Sequence, residues 1–114
     1  MNQIAQRLLE IFTTITKIDG TSGQERDVAD YIKNFLTKVG FEIYEDQAGS
    51  RIGGNSGNLI CKIGTGGDYV LLSHMDTARP TKNLEHKIED DRISSKGGTI
   101  LGADNRAGIA SILF

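Results

Sequence analysis

The sequence predicts an α/β fold, and three observations carry that prediction. Apolar residues recur at helical spacing before Gly40. Short apolar and β-branched runs bounded by glycine and serine follow, from Phe41 to Leu101. Helical spacing then returns at the end of the chain.

The elements follow in order. Ile4, Leu8, Ile11, Phe12, Ile15 and Ile18 share one face of a helix over residues 3–18, which "DGTSG" interrupts. Ser22 stands three residues before Glu25, the spacing of a reciprocal cap, and Val28, Ile32, Phe35, Leu36 and Val39 give a second amphipathic helix that Gly40 is placed to end. "FEIYE" (41–45) alternates as a half-exposed strand does, and "QAGSRIGGNSGN" reads as a loop. "LICKI" (59–63) and "YVLLS" (69–73) read as strands whose short glycine link, "GTGGD", suits an antiparallel hairpin. "HKIEDDRISS" reads as a tight hairpin. "GGTILGADNRAGIASILF" reads as a short strand, a loop carrying Asp104, and a helix with Ile109, Ile112 and Leu113 on one face.

A chain of 114 residues has room for one modest domain. Its composition is that of an ordinary soluble protein, 38% hydrophobic and 25% charged with a net charge of −2, and no basic cluster recommends nucleic acid. No apolar run is long enough to span a membrane. The N-terminal "MNQIAQRLLE" does not resemble a secretory leader, and Cys61 has no second cysteine to pair with. Both favour a cytoplasmic protein, with Cys61 a small apolar strand residue. The final "AGIASILF" ends on apolar residues without a capping glycine or a polar turn, so the chain is expected to be the first part of a longer one.

The residues suited to chemistry gather at the ends of the apolar runs. Side chains two apart in an extended segment point the same way, so His74 and Asp76 face together while Met75 faces away. A metal-bound imidazole commonly gives its second N–H to a carboxylate, which fixes the tautomer. A solvated strand end that binds water accounts for the pair equally well. Asp104, between glycines and before a helix, can serve as a helix N-cap, or as a carboxylate placed where α/β sheets gather ligands. Imidazole with carboxylates suits zinc, cobalt or manganese. His86 and the run Glu89-Asp90-Asp91 lack ligand spacing and are expected at a solvated turn.

Taken together, "LLSHMDT" and, 28 residues after Asp76, "GTILGADNRAGIA" resemble the first half of an M20 family dinuclear zinc metallopeptidase. The resemblance is strongest to the peptidase T (tripeptide aminopeptidase) and peptidase T-like branch, whose opening "TSGQERDVADYIKNFLTKVGFEI" matches. It implies the N-terminal part of a zinc-exopeptidase-like catalytic domain, a mixed β-sheet flanked by helices. Residues 1–114 would be its N-terminal portion, with the inserted smaller domain and the C-terminal part absent. It further implies that His74 ligates one zinc, that Asp104 bridges two, and that the catalytic Asp76 orients the ligand histidine. The substrate implied is a short peptide, and the complete parent would be a possible homodimer. Where many relatives read Asp-Asp-Lys, this chain reads Asp104-Asn105-Arg106, which keeps a short polar side chain and the cation. The family's Glu-Glu pair and its remaining metal ligands fall beyond position 114. An M20-type deacylase or carboxypeptidase remains an alternative, as does an inactive fragment with an incomplete metal site.

Overall fold

The computed structural model describes residues 2–114. Helix α1 (Gln3–Thr16) opens on Asn2, whose side chain accepts a 2.8 Å hydrogen bond from the Ala5 amide. The expected apolar face forms, but only Ile11, Phe12 and Ile15 of it are fully buried, while Ile4 lies open at the helix start.

Helix α2 (Arg26–Lys38) begins later than a cap at Ser22 would require. A turn intervenes, with the Gln24 amide bonded to the Thr21 carbonyl, and Glu25 accepts from the Gly23 amide. The free Arg26 amide is satisfied from a distance by the Asn55 side chain at 3.0 Å. The Ser22–Glu25 reciprocal cap is therefore absent, and Ser22 is free for another partner. At the other end Gly40 does terminate the helix, at φ +94°. The Phe41 amide bonds the Leu36 carbonyl and the Gly40 amide bonds the Thr37 carbonyl, the paired bonds of a Schellman ending.

Strand β1 (Ile43–Glu45) pairs antiparallel with β2 (Leu59–Cys61), placing Ile43 opposite Cys61. Between them, the segment read as loop contains one helical turn, α3 (Ala48–Arg51). The pairing differs from the expected hairpin of 59–63 with 69–73. Asp46 sets the observed register: its side chain accepts from the Ala48 and Asn58 amides and from Asn58 Nδ2, and its own amide bonds the Asn58 carbonyl. Glu45 then ties the pair to α2 through Arg26 and Lys33.

The run Tyr69–Leu72 is not in a strand ladder, and its side chains are 72–92% exposed. The reason is a missing neighbour. A strand is stable only against a partner that takes up its amides and carbonyls, and among the described residues none lies beside this run. Thr99–Leu101 likewise forms no strand. The hairpin at 86–95 is as expected, with β3 (His86–Ile88) antiparallel to β4 (Ile93–Ser95) and the Glu89 amide closing the turn on the Arg92 carbonyl.

Helix α4 (Ala103–Leu113) packs on α1. Its buried face is Arg106, Ile109 and Ala110, with Leu113 partly buried against the same core. Ile112, expected on that face, is turned outward, because positions 106, 109, 110 and 113 already make up the stripe. Val28 and Ile32 of α2 join Ile15 and Ile109 in one core cluster, and Ile11, Phe12 and Ala110 form a second. The α/β character holds, with the β structure confined to two small antiparallel sheets among the described residues.

Candidate functional site

The segment His74–Thr77 leaves the exposed run and crosses the C-terminal end of α1. It has almost no sheet to hold it: a single parallel bridge joins Thr77 to Thr21, with the Thr77 amide bonded to the Gly20 carbonyl at 3.0 Å. Met75 packs into the core while His74 and Asp76 project away from it, as the alternation requires. Asp104 arrives from the start of α4, where Gly102 at φ +79° turns the chain and Asp104 and Asn105 depart from helical geometry. Gly102 occupies the N-cap position, so Asp104 does not cap the helix. The Asp104–Asn105 peptide bond is cis.

These routes bring residues 30 positions apart into contact. His74 Nε2 lies 3.0 Å from Asp104 Oδ1, and His74 Nδ1 lies 3.0 Å from Asp76 Oδ1 and 2.9 Å from the Asp76 carbonyl. The imidazole is thus held between two carboxylates, half exposed, with the Asp104 side chain 96% open to solvent. Ser73 Oγ donates to the Asn105 carbonyl at 3.1 Å and links the two segments directly behind the site.

Electrostatics follow from the contacts. The hydrogen bond to Asp104, supported by Asp76, raises the pKa of His74 against the opposing effect of desolvation. The Asp76 carboxyl is held below its usual range, first by the Ser22 hydroxyl and then by His74. With its second nitrogen directed at Asp76, the imidazole offers Nε2 outward toward Asp104 and solvent. An imidazole so held can present a lone pair to a Lewis acid, and the carboxylate beside it can share that acid.

Two residues stand behind the site that spacing alone did not single out. Ser22 Oγ donates to Asp76 Oδ2 at 2.5 Å. Arg106 is completely buried and bonds main-chain carbonyls, including that of Met75. The position of Arg106 at i−3 to Ile109 was a usable signal of burial. That of Ser22 was not, because its partner lies 54 residues away. His86 is placed differently from expectation. It is half-buried, 2.7 Å from the Thr16 hydroxyl and edge-on to Phe12, and burial pushes its pKa down. Thr16 already donates to the Phe12 carbonyl, so His86 Nε2 carries the proton and His86 serves as a structural donor. It lies outside the His74 cluster. Glu89 and Asp91 pair with Arg92 at the solvated hairpin turn, as expected.

No protein-family model matches the chain. The uncharacterized protein YqjE of Bacillus subtilis is 34% identical over 110 residues, covering 94% of this chain and 30% of that protein. Peptidase T of Aliivibrio salmonicida is 30% identical over 114 residues, covering 98% of this chain and 28% of its own length. Among solved structures, the aminopeptidase PepT of Bacillus cereus superposes with a TM-score of 0.84 at 35% identity, over 95% of this chain and 30% of that one. The chain therefore spans about 30% of the length of the proteins it matches. In sequence and in fold, it is a relative of the N-terminal part of M20 peptidases of the peptidase T kind.

Proposed function

We propose that residues 1–114 form the N-terminal portion of the catalytic domain of a metal-dependent aminopeptidase that hydrolyses short peptides, tripeptides above all. The observation that carries this reading is the clamping of His74 between Asp76 and Asp104. The donor chemistry fits a divalent ion of the zinc, cobalt or manganese class. Nitrogen and oxygen ligands of one tetrahedral zinc stand roughly 3.3 Å apart, given bond lengths of about 2.0–2.2 Å. The 3.0 Å between His74 Nε2 and Asp104 Oδ1 is close to that spacing.

In this reading His74 and Asp104 would hold the metal, and Asp76 holds the ring through Nδ1. Such ions polarise a scissile carbonyl and acidify water near neutral pH. Asp76 accepts the Nδ1 proton and fixes the ring's orientation, so that a bound metal would take the place of the proton that Nε2 shares with Asp104. It does not serve as a base on water, because its two oxygens are taken by His74 and Ser22. Among the described residues no group of three His, Cys, Asp or Glu side chains is placed to hold a metal. This chain therefore contributes two donors, fewer than the three protein ligands of a catalytic zinc site. The remaining ligands and the general base belong to the rest of the parent protein, and these 114 residues alone are inactive.

No helix of the described residues is long and apolar enough to cross a membrane. The unpaired Cys61 is consistent with a reducing, cytoplasmic setting.

The test is to express the complete protein, strip it with chelator, add back zinc, and assay a free tripeptide against its N-acetylated form. Zinc-dependent release of the N-terminal residue from the free peptide alone is expected, with loss of activity in His74→Ala and Asp104→Asn. Equal cleavage of the acetylated peptide would redirect the reading to a deacylase or carboxypeptidase.

A further inference from the structure

We propose that Arg106 is a positioning residue: buried beneath the site, its guanidinium fixes the Met75 main chain and thereby sets where His74 and Asp76 stand relative to Asp104. The inference rests on the proposed metal site, and its argument begins with an oddity of charge.

A guanidinium removed from water is costly unless its charge is balanced and its donors are used. Arg106 is 0% exposed, and among the described residues no carboxylate bonds it directly, although Asp19 and Asp76 lie near enough to favour its charge. Its hydrogen bonds all go to main-chain carbonyls. Nε donates to Met75 at 2.9 Å, and Nη1 donates to Ile18 at 2.9 Å and to Ile15. Ile15 lies in the last turn of α1 and Ile18 just past its cap, where the negative end of the helix dipole favours a cation. The charge is thus accommodated by backbone dipoles and, at longer range, by the carboxylates of Asp19 and Asp76. Among the described residues Nη2 has no partner, and it faces Gly20, where an added Cβ would lie 3.1 Å from it and 2.9 Å from a Val28 methyl.

The Met75 carbonyl belongs to the residue between His74 and Asp76. A strand neighbour would normally hold such a carbonyl, and here the segment has one isolated bridge. Arg106 takes the neighbour's place. A single rigid fork joins three elements: the end of α1, the first turns of α4, and the segment carrying the imidazole. Asp104 lies two residues before Arg106, so the same side chain also anchors the backbone that presents the second donor. A lysine would keep the charge but not the planar fork, and could not hold Met75 and both helix carbonyls in one geometry.

The experiment uses the complete protein with Arg106→Lys, and Gly20→Ala as a second variant whose Cβ presses on the guanidinium from the other side and on the Val28 methyl, the thermal melt reporting the core share of its effect. Three readouts are taken: the thermal melt, the affinity for zinc alone by calorimetry, and the ring 1H–15N signals of His74 without metal, assigned by their loss in His74→Gln. Expected are folded variants whose zinc affinity falls 10–100-fold, the range for residues that orient a metal ligand, with His74 ring signals shifted from those of the parent. Folded variants with zinc affinity within twofold and unchanged His74 signals would overturn the proposal. So would loss of fold in both, which would make Arg106 a core residue only. If the parent itself binds no zinc, the metal reading fails; the His74 signals still decide, a shift supporting the positioning role and no shift overturning it.

Discussion

The Ser22 hydroxyl and the Asp76 carboxylate meet at 2.5 Å across 54 residues of sequence, and the other oxygen of Asp76 holds His74. The result is a chain of contacts, Ser22 to Asp76 to His74 to Asp104, in which each member orients the next.

Breaking this chain at Asp76 is expected to weaken the complete protein strongly while leaving its fold intact. Asp76→Asn should lower metal affinity or turnover about 10–100-fold. Ser22→Ala removes a single exposed hydrogen bond and should cost less, on the order of 1 kcal/mol or severalfold in affinity. Turnover at saturating zinc, with a thermal melt of each variant, checks both; an unchanged Asp76→Asn enzyme would count against the orienting role.

Acid should destabilise the fold through Glu45. Arg26, first, and the Gly57 amide hold its pKa down from the ordinary 4.5 to about 2. A carboxylate depressed in the folded state contributes stability that is fully present above its unfolded pKa and lost as pH falls through its folded pKa. The loss therefore lies between pH 4.5 and about 2. Chemical denaturation across that window should show falling stability in the parent and a flatter profile in Glu45→Gln.

The exposed run Tyr69–Leu72 should drive self-association when the 114 residues are expressed alone. Four consecutive apolar side chains, each at least 72% exposed, on an unpaired extended segment form both an apolar patch and a template for strand addition. Light scattering at micromolar concentration should report oligomers, reduced by Leu71→Lys. A monodisperse monomer would refute this.

Gly57 has no room for a side chain. A Cβ there would lie 1.9 Å from the Asp46 carbonyl oxygen, which is backbone and cannot swing aside. Gly57→Ala should separate β1 from β2 and destabilise the fold by roughly 2 kcal/mol or more. Gly97→Ala, with nothing within 4 Å and no positive φ, should be nearly neutral. Thermal melts of the two variants provide the comparison.

Local sequence was informative wherever a signal and its structural consequence lie within a few residues. The spacing of Ile11, Phe12 and Ile15 marked the buried face of α1, Gly40 marked the end of α2, and "EDDR" marked the hairpin turn. It misled wherever a distant residue took the partner. Asn55 caps α2 in place of Ser22, and β2 pairs with β1 rather than with Tyr69–Leu72.

The candidate site shows the same division. His74 and Asp76 share a side because extended backbone alternates, and that much is written in their spacing. Whether Asp104 reaches the imidazole depends on where α4 begins, and α4 is seated by its packing on α1 and by Arg106 bonding carbonyls 88 and 91 residues away. Sequence alone determined which donors exist and which two face together, because that follows from covalent geometry over three residues. Only the tertiary structure decided that the third donor meets them, because contact between distant segments is set by burial and hydrogen bonding summed over the whole core.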